Sequence, residues 1–218
     1  MKDTPKKLNI RQLRQLSDYC LLNAQKLQES AEILFNHHLY SVSVLTSILA
    51  IEELGKRHLM FSHVFVIDND EKRKKWWAYF RKHKDKIYWA FHDHWDAITL
   101  KSIKPNDYPS FLEKQHQEEE SFAAEIDHLK QRVTYVDFQT QLVNPRKTNK
   151  TYALIVLKLS KQLLDYHIKN EPTDKIITYC KNAKKKRFKG ESLSDFVGRL
   201  YLSDSTTKVR AKQVKVGK

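Results

Sequence analysis

Apolar side chains recur every three or four residues between residues 10 and 39, which is the pattern of one face of a long amphipathic helix. The positions are Leu13, Leu16, Cys20, Ala24, Leu27, Ala31 and Leu34. Residues 40–66 are apolar on nearly every face before Glu52, so we expect this second helix to lie centrally in the fold. Residues 36–38 leave room only for a short turn, which predicts antiparallel packing of the two helices.

Turn-forming residues are too rare for a sheet-rich fold. The 218 residues include four Gly and five Pro, about 4% of the chain against roughly 12% in average usage. This scarcity disfavours sandwiches, barrels and glycine-rich phosphate loops. We therefore predict an all-α bundle of five to seven helices with one short extended segment at residues 133–138. Three further helices are expected at about 71–97, 110–131 and 151–169. A shorter helix is expected after Pro172, and another at 193–202.

The net charge of +14 favours a polyanionic partner, and most of the excess lies near the C-terminus. Residues 181–218 hold twelve Lys or Arg and three Asp or Glu. We predict one helical domain over residues 8–203 and a basic tail over 204–218. A second basic run, Lys72 to Lys75, opens the third helix and is followed by many aromatic residues.

The sequence favours a cytoplasmic protein without a membrane span. The longest uncharged apolar stretch, residues 39–51, is shorter than the roughly 20 residues that a span needs, and the first residues have no apolar signal region. Cys20 and Cys180 are isolated, which predicts reduced core thiols and neither a disulfide framework nor a zinc finger.

Two Glu-x-x-His pairs fit the pattern of carboxylate-bridged di-iron bundles. The pairs are Glu113/His116 and Glu125/His128. Both fall on one predicted helix, twelve residues or roughly 18 Å apart, which is too far for a single dinuclear site. We therefore expect no metal and no cofactor, and we interpret this helix as having a solvated acidic face.

Glu52 and Glu53 interrupt the most apolar helix, where a carboxylate is costly unless a cation accompanies it. Lys56 and Arg57 each follow a glutamate by four residues, so surface ion pairs are one interpretation. Gly55 lies among these residues, and a glycine inside a helix favours the close approach of another backbone. We expect Glu52 or Glu53 to contact a cation and not to bind a metal.

His83 belongs to a second helical stripe, which predicts that its side chain points inward. The stripe consists of Trp76, Phe80, His83, Ile87, Ala90 and His94. One interpretation is an ordinary core histidine. The other is a group for proton transfer, with Arg81 and Lys86 placed to stabilise an approaching phosphate.

Three segments, taken in order along the chain, resemble one protein family. They are Ala50–Lys56 (AIEELGK), Phe80–Lys86 (FRKHKDK) and Arg132–Phe138 (RVTYVDF). In this order and spacing they resemble the AbiV-type abortive infection proteins, which are bacterial antiphage proteins of the HEPN superfamily (higher eukaryotes and prokaryotes nucleotide-binding). The resemblance covers about residues 10–170. It implies an all-α HEPN-like bundle, a homodimer and, as in many HEPN proteins, metal-independent cleavage of RNA.

The usual HEPN ribonuclease motif is an arginine, four to six further residues, and a histidine. Arg57 and His63 have this spacing but lack the polar residue that usually follows the arginine, and His83 has no arginine at the required distance. Three functions stay open as a result. One is an antiphage ribonuclease or RNA binder that acts on RNA or translation. The alternative is a non-catalytic helical module that senses or blocks a protein partner. A nucleic-acid-binding architectural protein, which needs only the basic C-terminal region, is a third interpretation.

Under the ribonuclease hypothesis, the resemblance implies catalytic roles for a small set of residues. His83 would shuttle protons, Arg81 and Lys86 would stabilise phosphate charge, and Glu53 would orient a cation. The candidate RNA-binding residues are Lys56, Arg57, Lys72, Arg73, Lys74, Lys75 and Arg132. The expected partners are RNA, a second copy of the chain and a phage-encoded activator protein, with no membrane.

Overall fold

The computed structural model describes residues 7–63, 70–99, 108–134 and 148–170. All of them belong to one unit of the chain, residues 1–173. They form the helices α1 (Ile10–Asn36), α2 (Tyr40–Ser62), α3 (Asp70–Arg81), α4 (His83–Thr99), α5 (Tyr108–Thr134) and α6 (Lys150–Lys169), and no strand occurs in these four ranges. The predicted all-α fold is confirmed. The helices expected after Pro172, and the boundary between residues 203 and 204, lie outside the described residues.

The first helix begins at a capping box that the sequence pattern did not single out. The side chain of Asn9 accepts a hydrogen bond from the backbone N–H of Gln12 at 2.9 Å, and the Gln12 side chain accepts one from the Asn9 backbone at 3.0 Å. The buried side of α1 is rotated slightly from the predicted apolar stripe. Its buried members are Leu13, Ser17, Cys20, Ala24, Gln28 and Ala31. Polar Ser17 and Gln28 are buried there because both make hydrogen bonds to neighbouring helices.

The connection between α1 and α2 is short, as predicted. His38 adopts a left-handed backbone conformation with φ 61°, which lets the chain reverse within three residues. Ser43 then donates to the carbonyl of Ala31 at 2.8 Å, and Arg57 donates to the hydroxyl of Ser17 at 3.3 Å. Since later residues of α2 contact earlier residues of α1, the two helices pack antiparallel.

Helix α2 lies at the centre of the described bundle, which confirms the expectation from its apolar composition. It packs against α1, α4, α5 and α6. Val44, Ile48, Ile51 and Leu54 are fully buried within one continuous core. Cys20 of α1 is a buried free thiol, and burial, followed by the charge of Glu53, raises the pKa of Cys20 to about 12. Cys180 lies outside the described residues.

The single helix predicted over about 71–97 is wrong, because the chain breaks at Lys82 into α3 and α4. The backbone N–H of Lys82 donates to the carbonyl of Tyr79, and the carbonyl of Lys82 accepts from Lys86 at the start of α4. No proline or glycine marks this break. It is tertiary in origin, since Trp76 of α3 donates to the carbonyl of Leu59 at 2.9 Å while α4 packs elsewhere on α2.

The last two described helices complete the core. The predicted extended segment at 133–138 is wrong at its start, because Val133 and Thr134 belong to α5 and Val133 is buried; residues 135–138 lie outside the described residues. Asn149 is the N-cap of helix α6, and its side chain accepts a hydrogen bond from the backbone N–H of Tyr152 at 2.8 Å. No helix in the described ranges meets the length and hydropathy that a membrane span requires.

Candidate functional site

The buried carboxylate of Glu52 holds three side chains that come from two other helices. Its exposed fraction is 3%. The Nζ atom of Lys130 on α5 lies 2.6 Å from Oε1, and the Nζ atom of Lys86 on α4 lies 2.8 Å from Oε2. Nδ1 of His83, the first residue of α4, lies 2.8 Å from Oε2. We call these four residues the Glu52 cluster.

Two helices can approach closely here because Gly55 has no side chain. A Cβ atom on Gly55 would lie 1.7 Å from the backbone oxygen of Lys86. The close backbone approach that the sequence predicted at this glycine is therefore confirmed. It brings the first turn of α4 onto the turn of α2 that carries Glu52.

The cluster is basic, and it reaches solvent through the histidine. Burial alone would raise the pKa of Glu52, but hydrogen bonds from Lys130, Lys86 and His83 outweigh it and lower that pKa below its usual value. Two ammonium groups face this one carboxylate, so the cluster has one net positive charge when the imidazole is neutral. The side chain of His83 is 54% exposed, whereas those of Lys86 and Lys130 are 6% and 14% exposed.

The exposure of His83 corrects the expectation that it points inward. The predicted stripe ran without interruption through residue 83, whereas the break at Lys82 places His83 at the exposed end of α4. Its contact with Glu52 is a feature that the stripe did not predict. The structure thus does not support the interpretation of His83 as an ordinary core histidine.

Two of the four predicted catalytic residues, His83 and Lys86, belong to the Glu52 cluster. Glu53 lies outside it and pairs with Lys56 three residues later. The expectation that Glu52 or Glu53 contacts a cation is therefore confirmed for both. Arg81 is exposed at the end of α3.

The predicted RNA-binding residues fall into an exposed and a buried group. Lys72, Lys74, Lys75 and Arg132 are exposed, and Lys56 is half-buried. Arg57 and Arg73 are buried. Arg73 pairs with Asp70.

The two residues with HEPN motif spacing, Arg57 and His63, are both in the interior. Arg57 is 1% exposed and donates to the backbone carbonyl of His167 at 2.5 Å and to Ser17. His63 is fully buried against the ring of Trp76. Burial, followed by the positive charge of Arg73, lowers the pKa of His63 to about 4, so this imidazole is neutral. Neither side chain is therefore open to solvent.

A second buried carboxylate, that of Glu119 on α5, also contacts a histidine of α4. It is 1% exposed and accepts hydrogen bonds from Gln115 at 2.7 Å and from Nδ1 of His92 at 2.8 Å. The hydroxyl of Tyr88 lies 2.6 Å from Nδ1 of His116 and 3.3 Å from Nδ1 of His92. We call these five residues the Glu119 cluster. Within the described parts of the chain, no lysine or arginine pairs with Glu119.

Sequence patterns did not identify Lys130 or the Glu119 cluster. Lys130 is separated from Glu52 by 78 positions and lies on a helix whose charge is mostly acidic. The Glu-x-x-His pattern at His116 gives no sign of its contact with Tyr88 on α4. The described side chains include no group of three or more His, Cys, Asp or Glu residues placed to hold a metal ion.

Comparison with known families agrees with this architecture. The family model HEPN_AbiV, described as AbiV, matches residues 12–165, which is more than two thirds of the chain and includes the whole Glu52 cluster. The molecule is therefore a helical protein of the HEPN class. Within that class the chain belongs to the AbiV family, and its membership indicates an abortive-infection function. No curated protein and no solved structure matches the chain.

Proposed function

We propose that this protein acts on RNA during abortive infection as a metal-independent ribonuclease, with the Glu52 cluster as its catalytic site. The observation that carries the proposal is the half-exposed imidazole of His83, which lies against a buried carboxylate and two ammonium groups. Such a site combines a group for proton transfer with cations that can stabilise phosphate charge.

The contacts at Nδ1 of His83 support both proton-transfer roles. When Nδ1 donates to Glu52, the lone pair is on Nε2, which can accept the proton of an RNA 2′-hydroxyl as that oxygen attacks the adjacent phosphorus. Lys130 lies 2.7 Å from the same Nδ1. Once Nε2 has taken that proton, the ring is an imidazolium with a proton on each nitrogen, and Nε2 can give the same proton to the leaving 5′-oxygen, which returns the ring to its neutral form. The products are then a 2′,3′-cyclic phosphate and a free 5′-hydroxyl.

The charge of the cluster favours a phosphodiester substrate. With neutral His83 the cluster has one net positive charge, which attracts an anionic group to the surface at the N-terminal end of α4. Lys130 is more exposed than Lys86. It is therefore the cation that we expect to contact the phosphate first, while Lys86 keeps Glu52 in place.

The test is cleavage of a 5′-labelled single-stranded RNA of mixed sequence in buffer with EDTA. The wild-type protein should produce fragments that end in 2′,3′-cyclic phosphate. His83→Ala should reduce the rate by at least about 100-fold, and His37→Ala, which changes an exposed histidine of the α1–α2 turn, should not. Cleavage that requires added metal, or that survives His83→Ala, would overturn the proposal.

A DNA strand of the same sequence separates binding from cleavage. It lacks the attacking 2′-hydroxyl, so it should bind without being cut. If RNA also binds without being cut, and phage protection persists in His83→Ala cells, the protein acts by binding alone.

A second candidate function is a module that senses or blocks a protein partner. It is favoured by large apolar side chains that are about half exposed on α1 and α6. They are Tyr19, Leu22, Ile33, Tyr152 and Ile155. Under this candidate, Leu22→Glu and Ile155→Glu should abolish phage protection, whereas His83→Ala should leave it intact.

A homodimer is part of the main proposal, because two-fold association would place two sets of cations beside one RNA strand. Light scattering after size-exclusion chromatography should give twice the chain mass of 25.9 kDa. A mass of one chain across micromolar concentrations would contradict this part of the proposal.

A further inference from the structure

Gly55 lies at the point where the backbone of α4 touches α2. A Cβ atom on this residue would lie 1.7 Å from the carbonyl oxygen of Lys86, 2.6 Å from its carbonyl carbon and 3.1 Å from its Cα. Real Cβ atoms do not approach other atoms within 3.0 Å. All three contacts involve backbone atoms, so no rotation of a side chain can relieve them.

The residue that makes this backbone contact also supplies an ammonium group to the Glu52 cluster. Lys86 uses its carbonyl against Gly55 and its Nζ atom on Glu52. Gly55 follows Glu52 by three residues, so both lie on the same side of α2. His83 precedes Lys86 by three residues on the first turn of α4. The contact and the cluster therefore share one turn of each helix.

We propose that Gly55 is a positioning residue for the Glu52 cluster: the missing side chain sets the distance at which Lys86 and His83 reach the carboxylate. With alanine at this position, α4 would have to move away by about 1.3 Å to relieve the closest contact. The two contacts of 2.8 Å from α4 would then lengthen to about 4 Å, beyond hydrogen-bonding distance. Lys130 belongs to α5, so its contact does not depend on this approach.

The first test measures the histidine ring nitrogens of Gly55→Ala by nitrogen-15 NMR. The signals of His83 should move towards those of a free imidazole, because its contact with Glu52 is lost. The signals of His92, which contacts Glu119, should stay in place and serve as the internal control. Unchanged His83 signals in folded Gly55→Ala would overturn the proposal.

The second test is a double-mutant cycle in urea. Gly55→Ala should lower the unfolding midpoint of the wild-type protein more than that of Glu52→Gln, in which α4 no longer has a carboxylate to reach. The matched cycle of Gly55→Ala with Glu119→Gln should be additive. Additivity in both cycles would show that Gly55 only allows α2 and α4 to pack closely, and would contradict a positioning role.

The NMR and urea measurements on Gly55→Ala are also made in trimethylamine N-oxide, since this osmolyte favours the compact state. If the variant stays unfolded there, both alone and combined with Glu52→Gln, the contact serves the whole fold and the proposal fails. The inference concerns the site that we propose for RNA, but neither measurement uses RNA. Shifted His83 signals in a protein that cuts no RNA would therefore refute the proposed function and leave the positioning role standing.

Discussion

The Glu52 and Glu119 clusters contain the same contact in two different electrostatic settings. In each, a buried glutamate lies 2.8 Å from Nδ1 of an α4 histidine, His83 in one case and His92 in the other. Two lysines complete the first cluster, whereas a glutamine, a tyrosine and a second histidine complete the second. A glutamate–histidine contact therefore does not define a phosphate site by itself. The site that we propose for phosphate differs by its ammonium groups, which reverse the sign of the local charge.

The largest expected difference between the clusters is in stability. Glu52→Gln leaves the ammonium groups of Lys86 and Lys130 without their shared carboxylate, and removing one partner of a buried ion pair typically costs about 3 kcal/mol or more. Glu119→Gln leaves no ammonium group uncompensated, so we expect about 1 kcal/mol. Urea unfolding at pH 7 measures both values. Equal losses would mean that the lysines of the Glu52 cluster are compensated by solvent.

The stability that Glu52 contributes should depend on pH in a defined direction. Its pKa in the folded protein is lowered from 4.5, so its contribution is fully present above the pKa of the unfolded chain. The contribution is lost as the pH falls through the lower folded value. The stability difference between wild type and Glu52→Gln should therefore be constant above about pH 5.5 and shrink below 4.5. Urea midpoints across this interval measure it, and a difference that grows on acidification would contradict the assigned contacts.

A smaller effect is expected on RNA affinity. Lys130→Gln removes the more exposed ammonium group of the Glu52 cluster and should weaken RNA binding about tenfold, or 1.4 kcal/mol. It should also reduce the salt dependence by about 0.7 in slope, as expected for the loss of one contact to a single strand. Gln115→Ala in the Glu119 cluster is the matched control and should change neither quantity. Filter binding at several salt concentrations distinguishes the two clusters.

The smallest effect is expected on folding when the histidines are removed. His83→Ala should change the free energy of unfolding by less than about 1 kcal/mol, because more than half of its side chain is already in water. His92 is less exposed and contacts Tyr88 as well as Glu119, so His92→Ala should cost slightly more. Thermal unfolding followed by circular dichroism compares them. A large loss for His83→Ala would mean that this residue holds the bundle together.

Local patterns in the sequence predicted the parts of the fold that depend on neighbouring residues. The apolar spacing of α1, the central place of α2 and the close approach at Gly55 all follow from residues within one or two helical turns. The same reasoning failed at Lys82, because the separate contacts that α3 and α4 make with α2, and not a breaking residue, accompany the end of α3. Local patterns did single out His83 and Lys86 of the Glu52 cluster, because these two residues lie in one short segment.

The missing members of the site depend on tertiary structure. Whether Lys130 meets Glu52 is decided by how α5 crosses α2, and no periodicity along the sequence contains that information. For the same reason Glu119 and His92, 27 positions apart, were not recognised as partners. Burial of Arg57 could not be foreseen either, since an arginine four residues after a glutamate is typical of a helix surface.

The three-residue turn between α1 and α2 has a consequence for the order of folding. Contacts across this hairpin join residues close in sequence, such as Ser43 and Ala31, whereas Arg57 meets the carbonyl of His167 across 110 positions. Closing a short loop costs less chain entropy, so we expect the hairpin to be formed in the transition state and α6 to dock afterwards. Ser43→Ala should then mainly slow folding, and Ser160→Ala in α6 should mainly speed unfolding.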